Sequence, residues 1–270
     1  MDGEGATGGK YRDSALVTLV LIPIMIVITW LLENYLLAGT THLFTTANFP
    51  VLVAYTVVSS VLVGIVVPVM RIRAGFLSGA VNMFQIGFRS ARRTAAAAGI
   101  TALAIYTVLT VTGAATMSWV QGAALFLLVI PTSIATVMLC WVLAGTHVQA
   151  YVRGGGAVIS ILCGTLVTAL LFAISVSVLF ASGNFQEIFP EFFVIGCVSA
   201  LFFFAVRDVY ASVLVIASFL SIFLAPYIDP RYIVSVSPIV AFCGIFAFII
   251  LAGAHSHFSR HYTTVVLPEK

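Results

Sequence analysis

The sequence predicts an all-α, polytopic integral membrane helix bundle, with eight transmembrane helices and both termini on the cytoplasmic side. Three observations carry that prediction. Of the 270 residues, 61% are hydrophobic and only 8% charged, where an ordinary soluble domain carries about 25% charge. The apolar residues fall in runs, 15–39, 49–70 and 119–145 among them, that exceed the roughly 20 residues needed to cross a hydrocarbon core of about 30 Å. These runs lack the apolar–polar alternation of barrel strands, and in lipid every backbone N–H and C=O must be paired within the segment, so the runs are helices.

Taken in order, residues 1–14 (MDGEGATGGKYRDS) are polar and glycine-rich, without the basic start and small-residue cleavage site of a secretory signal, and are expected to form a short disordered tail. The transmembrane bundle occupies 15–253, with spans expected at 15–38, 49–70, 94–114, 119–145, 157–181, 190–206, 209–225 and 232–253. Residues 254–270 form a cytoplasmic C-terminal tail. The connecting segments are too short for a separate soluble domain.

One run decides the count. Residues 192–225 are apolar except for Arg207 and Asp208. As a single helix they would extend about 51 Å, far beyond the hydrocarbon thickness. They would also bury two charges that, as helical neighbours, point apart, at about 2.5 kcal/mol or more each. A tight turn at Arg207 and Asp208 removes both difficulties, although it carries neither glycine nor proline. With the turn, the cytoplasmic segments hold Lys10, Arg12, Arg71, Arg73, Arg89, Arg92, Arg93, Arg153, Arg207, Arg260 and Lys270, leaving only Arg231 outside, as the cytoplasmic preference of basic residues demands. Seven helices would put Arg260 and Lys270 outside and Arg207 in lipid. The net charge of +3 is therefore an orientation signal, pointing to the plasma membrane and to no nucleic-acid partner.

The basic stretch 71–93, RIRAGFLSGAVNMFQIGFRSARR, places Ser78, Asn82, Gln85 and Arg89 at helical spacing, with Phe76, Ala80, Phe84 and Phe88 on another face. It is expected to be an interfacial amphipathic helix whose Arg71, Arg73, Arg89, Arg92 and Arg93 meet anionic lipid or a cytoplasmic or membrane partner subunit. Within the membrane, Glu33 and Asn34 are the polar candidates for a transport path, because a carboxylate in lipid must face a bundle interior or water. Pro131 and Pro238 each free a backbone carbonyl and are candidate hinges.

His147, His255, His257 and His261 fall on the cytoplasmic side, the last two at i, i+4, and imidazoles so placed are candidate ligands for a transition metal or haem. No cofactor is specified by any motif. The four cysteines stand alone in apolar segments and behave as small hydrophobes. Leu-Ala-Gly-x-His occurs at 143–147 and 251–255, an echo too short in so apolar a chain to establish a repeat.

Several chemistries are excluded. The only lysines, Lys10 and Lys270, lie outside the helices, so no retinal Schiff base forms within the bundle; GEGATGGKY lacks the first glycine and the Ser/Thr of a phosphate loop; and there is no G-x-S-x-G. The expected function is a small multi-pass permease or transporter component. The alternatives are a metal- or haem-binding membrane enzyme or electron-transfer subunit, and a non-catalytic membrane subunit of a larger complex.

Overall fold

The apolar runs fold as helices, and no strand occurs among the residues that the computed structural model describes, 16–38, 49–77, 81–112, 118–180, 185–226, 228 and 230–262. The expected terminal tail 1–14 and residues 263–270 lie outside that set. Helix α1 joins a π-helical turn, Val17–Leu21, to Ile22–Ala38. Helix α2 runs through Phe49–Tyr55, a π-helical stretch Thr56–Val66, and Val67–Leu77. A single turn, α3, covers Met83–Ile86, and α4 covers Ala91–Thr112. Helix α5 runs through Trp119–Thr136, a second π-helical stretch Val137–Gly145, and Thr146–Tyr151. Then follow α6 (Ala157–Phe180), α7 (Phe185–Val206), α8 (Val209–Leu224) and α9 (Pro230–Tyr262).

Seven of these segments are long and apolar enough to cross a membrane, and α8, at 16 residues, is a shorter apolar helix. The chain is thus built as an integral membrane bundle. Helix α5 is its axis, packing against α1, α2, α6, α8 and α9, and its side chains from Ile134 to Ala144 are buried all round. A helix apolar on every side is the pattern of one enclosed by others. Aromatic rings fill the space between α5, α6, α7 and α8, where Trp141 meets Phe172 edge-on at 5.3 Å and Phe192 meets Phe223 at 4.9 Å.

The charged dipeptide does end a helix. α7 stops at Val206, and Asp208 caps α8 by accepting the Ala211 amide at 2.9 Å. Arg207 takes the left-handed conformation, φ 53°, that glycine usually supplies. Arg207 and Asp208 answer to separate partners, the arginine to Gln85 and Gln149 and the aspartate to Thr94 and Ala211. The turn also puts Arg89 and His255 at the same end of the bundle, where the His255 Nε2 to Arg89 carbonyl distance is 2.7 Å. One helix over 192–225 would have left these residues at opposite ends.

Two expectations need correction. The stretch 71–93 is not one interfacial helix. Arg71 and Arg73 belong to the end of α2, Arg92 and Arg93 to the start of α4, and Arg89 to the extended link between α3 and α4. Start and stop signals break it: Asn82 and Gln85 form a reciprocal capping box, and Gly87, φ 88°, closes the turn directly after Ile86. At the other end of the chain, α9 continues to Tyr262, so the segment after 253 begins as helix rather than tail.

Candidate functional site

A seam of buried polar side chains lies where α1, α2 and α5 meet. The Ser59 hydroxyl of α2 donates to Asn34 Oδ1 of α1 at 2.7 Å, and Trp30 Nε1 donates to the Ser59 carbonyl at 3.1 Å. Asn34 is fully buried, yet its amide nitrogen has no hydrogen-bond partner among the described residues. The Tyr55 phenol sits among Thr132, Ser59 and Ser60. From α5 come Thr132, Ser133 and Thr136, all buried, of which Ser133 and Thr136 bond back to Val129 O and Thr132 O.

Backbone geometry shapes the seam. Both π-helical stretches border it, and such widened turns concentrate at functional sites because they displace side chains from the regular α pattern. Gly64 brings α2 against α5: a methyl group there would overlap the Ala135 side chain. Pro131 removes the intrahelical donor for the Leu127 carbonyl, and α9 covers that oxygen at Gly244.

Buried polar groups flank the apolar stretch Val137–Gly145 of α5, with Thr132, Ser133 and Thr136 before it and Thr146, His147 and Gln149 after it. Midway, Thr168 of α6 donates to the Cys140 carbonyl at 3.2 Å. The Trp141 indole N–H and the Thr165 and Ser177 hydroxyls have no partner among the described residues.

At the arginine-bearing end the seam meets a network of long side chains. Arg89 donates from Nε to the Arg207 carbonyl at 3.0 Å and from Nη2 to the Val206 carbonyl at 3.3 Å, supplying a cation to the unsatisfied C-terminal carbonyls of α7. Its guanidinium also lies 3.8 Å from the Phe84 ring centroid. Arg207 donates from Nη1 to Gln85 O at 3.0 Å and from Nη2 to Gln149 Oε1 at 2.8 Å. Burial and the adjacent Arg89 push the Arg207 guanidinium down to about 10, which leaves it charged at neutral pH.

Asp208 accepts the Thr94 hydroxyl at 2.8 Å, and Val209 N donates to Gly87 O at 3.1 Å, so loop 82–90 is tied to the turn between α7 and α8. Because a carbonyl only accepts, His255 donates from Nε2 to Arg89 O, and its Nδ1 lies 3.2 Å from the Tyr210 hydroxyl.

The candidates chosen from sequence separate accordingly. Asn34 faces the seam; Glu33, about 100° away around α1, is only partly buried. Pro131 is buried beside Thr132, whereas Pro238 is exposed on α9. The histidines divide: His147 is buried against Gly75 and near Arg71, His255 is bound to Arg89 and Tyr210, and His257 is exposed beside Phe258. The His261 side chain lies outside the described set. No group of three His, Cys, Asp or Glu among the described residues is placed to hold a metal ion. Of the arginines, Arg73, Arg92 and Arg93 are exposed and Arg71 half-buried.

Sequence reasoning missed Ser59, Ser60, Thr132 and Gln149. Small hydroxyl residues are common in membrane helices, where they bond to their own helix carbonyls, so Ser59, Ser60 and Thr132 carry no signal of their own, and the partner of Gln149, Arg207, lies 58 residues away in sequence.

No protein-family model, curated protein or solved structure matches this chain. Its functional reading therefore rests on the site itself.

Proposed function

We propose that the protein is a membrane permease for a small, uncharged polar solute that moves along the seam between α1, α2 and α5. One observation carries the proposal: Asn34 Nδ2 is buried in a lipid-embedded bundle with hydrogen-bonding capacity that no described residue fills. Polar groups in hydrocarbon are costly and cluster on solute pathways, where the solute or water supplies the missing partner. The buried lining beside Asn34 is amide and hydroxyl, and it both donates and accepts without a fixed charge, which suits a hydroxylated or amide solute better than an ion. The widened helices and Pro131 give α2 and α5 places to bend as the seam opens.

Reconstitution into liposomes tests this directly. Vesicles containing the protein should equilibrate glycerol or urea faster than protein-free vesicles, and Asn34→Leu, which keeps the branched shape but replaces the polar atoms with bulkier apolar ones, should return the rate to the protein-free value without loss of helix content. Wild-type rates no faster than protein-free vesicles for both probes would overturn the proposal.

A further inference from the structure

Helix α4 is mostly exposed, and its main packing partner is α8. Between α4, α7 and α8 lies an apolar groove of about 390 Å³, bounded by Ile100, Ala104 and Val108 on α4, Phe202 on α7, and Val215 and Ile222 on α8. On α4 it reaches from Ile100 to Leu109, about 14 Å, which is close to one leaflet's share of a hydrocarbon core of about 30 Å.

The groove has a charged head. Arg93, Ala97, Ile100, Ala104 and Val108 recur at three- and four-residue steps, so they form one stripe on α4, with Arg93 about 10 Å from Ile100 on the arginine-bearing side. Arg93 is exposed and close enough to Arg89 for the two charges to repel. The nearby acid, Asp208, is already bonded to Thr94 and the Ala211 amide. Two cations thus stand at the end of an apolar cleft one leaflet deep, facing a single carboxylate whose charge acts on Arg89.

The geometry points to a binding site for one anionic phospholipid, its phosphate against Arg93 and Arg89 and one acyl chain in the groove between α4, α7 and α8. A soluble oxyanion would satisfy the arginines but leave the groove unused; a neutral lipid would fill the groove but leave the excess positive charge of the two arginines over Asp208 unbalanced. The site does not depend on the solute path.

Native mass spectrometry of the full chain released from nanodiscs of mixed phosphatidylglycerol and phosphatidylcholine provides the test. One phosphatidylglycerol should be retained preferentially. Arg93→Gln should lower that retention about five-fold, the weight of one arginine at an anionic surface, and Arg93→Lys should restore most of it. Ala104→Phe, at an exposed position that tolerates bulk without disturbing the fold, should lower retention by obstructing the groove. Equal retention of the two lipids, or retention unmoved by Arg93→Gln and Ala104→Phe, would overturn the assignment. So would displacement of the lipid by millimolar inorganic phosphate, which would mark a simple oxyanion site.

Discussion

Replacing Arg207 by glycine sets two opposing effects against each other, and the structure fixes their order. At φ 53° a side chain costs about 1–2 kcal/mol that glycine avoids, but glycine returns about 0.5–1 kcal/mol through its freer unfolded chain. The net relief is on the order of 0.5–1 kcal/mol. Against it stands the loss of donors to Gln85 O and Gln149 Oε1. Hydrogen bonds from a charged donor contribute about 1.5–3 kcal/mol each, and the lower figure applies to the half-exposed guanidinium. Together these give a loss of about 3 kcal/mol, so Arg207→Gly should destabilise by about 2 kcal/mol, and Arg207→Ala, which keeps the strained backbone, by about 3.

In a chain of this size each kcal/mol shifts the melting point by about 2–4 °C. Thermal unfolding of the three proteins in one detergent should therefore order wild type above Arg207→Gly above Arg207→Ala, with several degrees between the first and last. A glycine variant as stable as wild type would show that the bonds to Gln85 and Gln149 contribute no more than the backbone relief, about 0.5–1 kcal/mol, and one more stable than wild type would show that they contribute less. An alanine variant more stable than glycine would show that the turn carries no strain beyond what the freer unfolded chain of glycine offsets.

Two further outcomes are expected. Asp208→Ala, which strips the cap from α8 and leaves the Thr94 hydroxyl without its acceptor, should cost about 1–2 kcal/mol in the same melting assay, while Asp208→Asn should retain most of the stability. Gly64→Val should force α2 and α5 apart at Ala135; overpacking of this kind costs about 1–3 kcal/mol or more, and detergent size-exclusion profiles should show a reduced monodisperse yield where Val63→Ala, at a partly buried neighbour, does not.

Hydropathy and cost made the helices legible. Runs of 20 or more apolar residues leave no other fold in lipid, and Arg207 with Asp208 was too expensive to bury, so the break between α7 and α8 could be read although no glycine marked it. What made the turn feasible was not legible, because Arg89, 118 residues away, holds the Arg207 carbonyl. The stretch 71–93 misled because its aromatic and polar residues repeat at helical spacing by composition alone, while the stronger local signals, the Asn82 and Gln85 box and Gly87, sat inside the pattern. Glu33 drew attention through its charge, but on a helix the next residue faces elsewhere, and it is Asn34 that the fold buries. Its partner Ser59 is one of many serines in apolar sequence, distinguishable only once α1 and α2 are brought together.

Water access to that seam tests the account most directly. With Cys140, Cys163, Cys197 and Cys243 replaced by alanine, Ser60→Cys in intact membranes should react with a small, hydrophilic methanethiosulfonate reagent, although Ser60 is only 1% exposed, because the proposed solute path reaches it. Val58→Cys, 42% exposed but facing lipid, should stay unreactive. The opposite pattern, Val58→Cys modified and Ser60→Cys inert, would contradict both the membrane setting of α2 and a polar path beside Asn34.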